Sequence, residues 1–140
     1  MFRYFPTSAL LSGLALIMSF SAARAEVTEL NLVDPDHGFG NVYRSYSSMD
    51  EKYERRGSTT LPAQVGAIMP GAGEDEVRAR LGKPLEEEGD GSWIYHLSLP
   101  LPQGNELICQ YRLHFDNDRK VIGSVWRRPQ CADLIGAARG

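Results

Sequence analysis

Apolar residues run together near the start of this chain, recur at helical spacing through its middle, and alternate with polar ones toward its end. The helical stretches come in three pieces. Val42, Tyr46, Met49 and Tyr53, spaced by four, three and four, line one face of a helix over Asn41 to Arg56, with Asn41 placed to cap it and Gly57 to stop it. That aromatic stripe reads as packing surface rather than a cofactor site. Leu61, Val65 and Ile68 predict a second, short helix with Pro62 in its first turn. After the break at Met69-Pro70-Gly71-Ala72-Gly73, a third helix starts at Glu74, turns Val77 and Leu81 inward, and ends at Gly82 ahead of Pro84. Its opening Glu74, Asp75 and Glu76 complement the positive end of the helix dipole, an ordinary structural role.

From Ser92 the period changes to two. Trp93, Tyr95, Leu97 and Leu99 alternate with Ile94, His96 and Ser98. Leu107, Cys109, Tyr111, Leu113 and Phe115 alternate with Ile108, Gln110, Arg112 and His114. Turn chemistry at Pro100 to Asn105 and at Asp116 to Lys120 joins these strands to a third, Val121 to Arg128, which Pro129 is expected to end. The pattern predicts an α+β domain, with short N-terminal helices packed on one face of a three-stranded antiparallel β-meander. Glu86 to Gly91 reads as an acidic loop between helix and sheet, and Glu26 to Gly40 as a loosely held, turn-rich leader.

The apolar block near the start changes the picture of where the chain works. Arg3, the run from Ala9 to Phe20 and the small-residue end Ala23-Arg24-Ala25 have the layout of a secretory signal peptide over residues 1–25, with cleavage expected before Glu26. The run falls short of the roughly 20 residues a membrane span needs. An exported, soluble periplasmic protein is therefore expected, with membrane association peripheral at most. Cleavage removes two cations, Arg3 and Arg24, and no acid, which moves the formal net charge from −3 to −5. A chain so acidic, with no cationic footprint, is a poor partner for nucleic acid. In an oxidising compartment the two cysteines, Cys109 and Cys131, read as one disulfide, with two buried thiols as the alternative. Cys109 belongs to the inward face of its strand, and Pro129 can turn the chain so that Cys131 comes back toward it.

Enzyme chemistry is not apparent. There is no Gly-x-Ser-x-Gly, and nothing associates His37, His96 or His114 with a nucleophile. Gly38-Phe39-Gly40 lacks the Lys-Ser/Thr of a phosphate loop, and Asp116-Asn117-Asp118 lacks the glycine and distal glutamate of a calcium loop. No catalytic residue, metal site, cofactor or small-molecule substrate is expected. His96 and His114 read as solvent-side polar residues. The face they share is the candidate interface: Ile94, His96, Gln110, Arg112 and Trp126, with Ile108, make an aromatic and arginine patch if exposed. Either the helix at 41–56 covers it, which is favoured, or a partner does.

Ile68-x-x-Gly71, Val77-x-x-x-Leu81-Gly82-x-Pro84, Trp93-x-Tyr95, then Phe115 before an Asp/Asn turn and Val121 together resemble the SmpA/OmlA (BamE-like) family of small outer-membrane assembly and integrity proteins. The likeness runs from about Leu61 to Val125, and Trp126 to Ala132 is similar to the OsmE-type members. The resemblance makes residues 26–58 an N-terminal extension, 59–131 the family-like domain and 132–140 a tail. It gives Gly71, Val77, Leu81, Gly82, Pro84, Trp93, Tyr95 and Phe115 structural jobs. Where the family places a hydroxyl residue to cap the second helix, this chain has Ala72-Gly73. The family members are lipoproteins, whereas no acceptor cysteine follows this signal. The implied function is non-enzymatic support of outer-membrane integrity or β-barrel assembly, through binding to envelope proteins such as barrel-assembly subunits. A secreted inhibitor of a periplasmic enzyme, built on the β-lactamase-inhibitor type of helix-plus-sheet fold, is the alternative.

Overall fold

The structure, a computed structural model, describes Gly13, residues 27–39 and residues 57–139. Apart from Gly13, the signal segment lies outside the described residues, and so does the helix expected over 41–56. In chain order the elements are β1 (Leu32–Val33), β2 (Ser58–Thr59), α1 (Pro62–Gly66), α2 (Glu74–Leu81), β3 (Glu86–Glu87), β4 (Trp93–Pro100), β5 (Glu106–Phe115), β6 (Val121–Trp126) and α3 (Pro129–Arg139).

The expected three-stranded antiparallel fold is incorrect. β4, β5 and β6 do pair antiparallel, but they form the centre of a mixed six-stranded sheet ordered β1-β6-β5-β4-β2, with β3 on β4. β1 joins β6 in parallel and β2 joins β4 in parallel, while β3 pairs antiparallel with the start of β4. These additions are two residues long, too short to show a period, so alternation could not reveal them. The helices are not only N-terminal either. Pro129 opens α3, where its fixed φ and missing N–H suit a first helical turn. α3 takes in most of the segment set apart above as a tail.

Val65 of α1, Ile68 just beyond its end, and Val77 and Leu81 of α2 share one core with Cys131, Ala132 and Ile135 from α3. They bury the sheet face made by Trp93, Tyr95, Leu97, Leu99, Cys109, Tyr111 and Leu113. α3 packs along α1, and its Arg139 donates to the carbonyls of Gly66 and Ile68 at 3.1 and 3.2 Å, satisfying acceptors where α1 ends. The Cys109–Cys131 disulfide fastens α3 to β5 with the Cα atoms 5.9 Å apart. Burial pushes the Tyr111 phenol up to about 12, with Ser124 and Arg139 opposing that rise, so it stays protonated.

One bulge sets the last strand. His114 pairs with Gly123, but Phe115 pairs with Val121, so β6 carries Ile122 as an extra residue. Val121 therefore faces the core at one end and Ser124 and Trp126 at the other. Trp126 stacks on Tyr111 with ring centroids 4.1 Å apart.

The outer edge of β6 is closed piecemeal by backbone from elsewhere. Val121 exchanges bonds with Gly71 and Ala72, Ser124 donates to Glu29, and Asp34 donates to Trp126 at 2.9 Å. The leader is thus bound along the sheet, not loosely held. Asn31, in the left-handed region at φ 65°, donates from its backbone N–H to Ser124 Oγ at 2.7 Å.

Candidate functional site

The residues singled out by the family resemblance occupy structural positions. Gly71 turns the chain at φ 92° and Gly82 ends α2 at φ 79°. Val77 and Leu81 are in the core, Pro84 is buried, and the Tyr95 hydroxyl donates to the carbonyl of Gly82 at 2.8 Å. Phe115 meets Trp93 edge-on at 4.8 Å between centroids. Outside that pair, Arg78 stacks over Trp93 and Arg119 over Phe115, with Glu74 bridging to both arginines. Gly73 stands at the start of α2 and supplies no side-chain cap.

The patch of Ile94, His96, Gln110, Arg112 and Trp126 is not the exposed surface the alternation allowed. Ile94, His96 and Gln110 are buried, and Trp126 belongs to the opposite, core face because of the bulge at Ile122. Gln110 is held by Arg127, which donates to its side chain at 3.1 Å and to its backbone carbonyl at 3.2 Å. Of the five, Arg112 alone reaches an open site.

That site is a groove of about 570 Å³ on the second face of the sheet, between the leader, the β3–β4 turn and the β5–β6 turn. Arg112 rises from β5 into it and is held on three sides. Its Nε donates to Ser92 Oγ at 2.8 Å, its Nη2 to Asp90 Oδ2 at 2.7 Å, and its Nη1 to the carbonyl of Gly38 in the leader. Burial alone would raise the Asp90 carboxyl, but the side chain and N–H of Ser92, with Arg112, hold it down at about 2. Across the groove, Asp34 Oδ1 accepts from the N–H groups of Asp36 and His37 at 3.1 and 3.0 Å, a local Asx turn that keeps its carboxyl low. The His37 ring lies 3.2 Å from the same oxygen. His114 is pushed down, mainly by burial and secondly by Arg112, so its imidazole is uncharged at neutral pH. Ile122 and Val125 supply an apolar side to the groove.

No protein-family model matches the chain.

The groove can hold a ligand by shape, charge and apolar contact. Among the described residues no group of three or more His, Cys, Asp or Glu side chains is placed to hold a metal ion. Sequence reasoning named Arg112 but missed its partners, because Gly38 and Asp90 come from segments read as leader and loop, and Ser92 only marks where the strand period begins. The one local signal was Asp90-Gly91-Ser92, an Asx-turn sequence: Ser92 donates to Asp90 from both its N–H and its hydroxyl.

Proposed function

We propose that this is an exported, non-enzymatic protein of the cell envelope that works by binding other envelope proteins, as the likeness to the SmpA/OmlA proteins implies. The observation that carries the reading is the buried Cys109–Cys131 bridge between β5 and α3. A disulfide built into a core belongs with proteins that mature in an oxidising compartment, and the signal-like segment 1–25 supplies a route there. No helix among the described residues is long and apolar enough to cross a membrane.

Binding, rather than chemistry, is supported by the character of the groove. Arg112, with Ser92, Asp90 and Gly38, fixes three chain segments against each other, leaving a shaped surface whose arginine is already paired. In the family-like stretch, Gly71, Val77, Leu81, Gly82 and Pro84 are used up in building the helix layer, so recognition falls to other surfaces. The test is recovery of partners from envelope extracts with the tagged, exported protein. Barrel-assembly subunits among the captured proteins support the reading. Recovery of a single soluble hydrolase, inhibited on binding, replaces it with the inhibitor alternative.

A further inference from the structure

We propose that the second-face groove receives a lysine- or arginine-bearing extended segment of the partner protein. This rests on the protein-binding reading above and names what that binding recognises.

The charges in the groove are unequally presented. Among the described residues that line it, Arg112 is the one permanently charged cation, and it is only 14% exposed, with three of its donors turned onto Ser92, Asp90 and Gly38. The two carboxylates that line it remain open, Asp34 at 42% and Asp90 at 46%. Asp34 makes its turn bonds through Oδ1, which leaves Oδ2 as an acceptor for an incoming donor. His114 adds no positive charge at neutral pH. The charge that these described residues show to solvent is therefore anionic, although the groove contains an arginine. Beside the carboxylates, Val27, Ile122 and Val125 form an apolar strip suited to the methylene stem of a long cationic side chain. The volume, about 570 Å³, falls in the range that encloses a small ligand or a few residues of peptide. A carboxylate-bearing segment meets the reverse situation, two repelling carboxylates in front of a guanidinium already engaged by Ser92, Asp90 and Gly38.

The experiment uses the full exported chain, labelled with ¹⁵N, and three blocked pentapeptides that differ in one residue: Ala-Val-Lys-Val-Ala, and the same with Gln or Glu in place of Lys. The Lys peptide should bind about tenfold more tightly than the Glu peptide, with Gln between them. Amide shifts should centre on Gly38, Asn117 and Ile122. Asp34→Asn keeps an acceptor for the turn, and should weaken the Lys peptide about threefold while leaving the Gln peptide unchanged. Asp75→Asn, on α2, should change neither. Equal or tighter binding of the Glu peptide, shifts confined to the helices, no binding of any peptide, or an Asp34→Asn variant that binds like wild type would overturn the proposal. The same Asp34→Asn protein used as bait separates this from the broader reading. If it still recovers the envelope partners in full, protein binding stands and the groove is not where it occurs.

Discussion

The indole N–H of Trp126 donates to Oδ1 of Asn31 at 2.7 Å, while the side-chain amide of Asn31 donates to the carbonyl of Ala132 at 2.9 Å. One leader residue thereby joins the last strand to the last helix. Asn31→Ala leaves a buried indole donor unmatched and keeps a left-handed backbone that asparagine tolerates better than alanine. We expect a loss of about 1–3 kcal/mol, read as a lower urea midpoint at an unchanged slope.

The disulfide should contribute on the order of 3 kcal/mol, because it closes a loop spanning 22 residues in the unfolded chain. A Cys109→Ala/Cys131→Ala protein should melt at lower urea than the oxidised wild type. Mass measurement of the exported wild type without reductant should show no free thiol, and two free thiols there would refute the bridge.

Acid should destabilise the protein in two stages. His114 has its folded pKa lowered, so the unfolded chain takes the proton first. Stability is complete above the usual value of 6.5 and declines as pH falls toward the lower folded value. Asp90, lowered from 3.8 to about 2, likewise contributes stability that is present above about 4 and lost as pH falls toward 2. Asp34, lowered chiefly by the Asp36 N–H, acts in the same sense. His114→Gln should flatten the first decline and Asp90→Asn the second, in melts recorded from pH 8 to 2.

Leu81→Ala should cost roughly 2–5 kcal/mol, since Leu81 fills the core between α2 and the sheet. The acids that open the same helix should not behave alike. Glu74 pairs with Arg119 and Arg78, whereas Asp75 and Glu76 are exposed. Conversion to glutamine should cost below about 1 kcal/mol at each position, with Glu74 the largest of the three. A Leu81→Ala protein that melts like wild type would refute the core described here.

Gly123→Ala should unseat the leader. A Cβ at that position would stand 2.5 Å from the carbonyl oxygen of Val27, a backbone atom with no easy escape. Limited proteolysis should cut the variant within residues 27–39 faster than wild type.

The long strands were legible because one of their faces is a core. Strict alternation placed Trp93, Tyr95, Cys109, Tyr111 and Leu113 inward, as found. Alternation failed at Trp126 for a definite reason. A single inserted residue, Ile122, reverses every later side chain of the strand, and the one local sign of it in Val121-Ile122-Gly123-Ser124 is the isolated strand glycine, Gly123. Pro129 misled in the other direction, since a proline that cannot continue a strand is equally suited to begin a helix. The groove was least legible. Its charged members, Asp34, Asp90 and Arg112, come from three separate parts of the chain and meet through tertiary pairing alone.

Among the described residues, the outer backbone edges of β4 and β6 are met in places by short pieces of the same chain. β3 and β2 share the free side of β4, and the Gly71–Ala72 turn, Glu29 and β1 share that of β6. What the outermost strands then offer is two residues at a time, too little for another molecule to pair with in register. The chain's own shortest strands thereby blunt edge-to-edge growth, the usual hazard of an apolar sheet at high concentration.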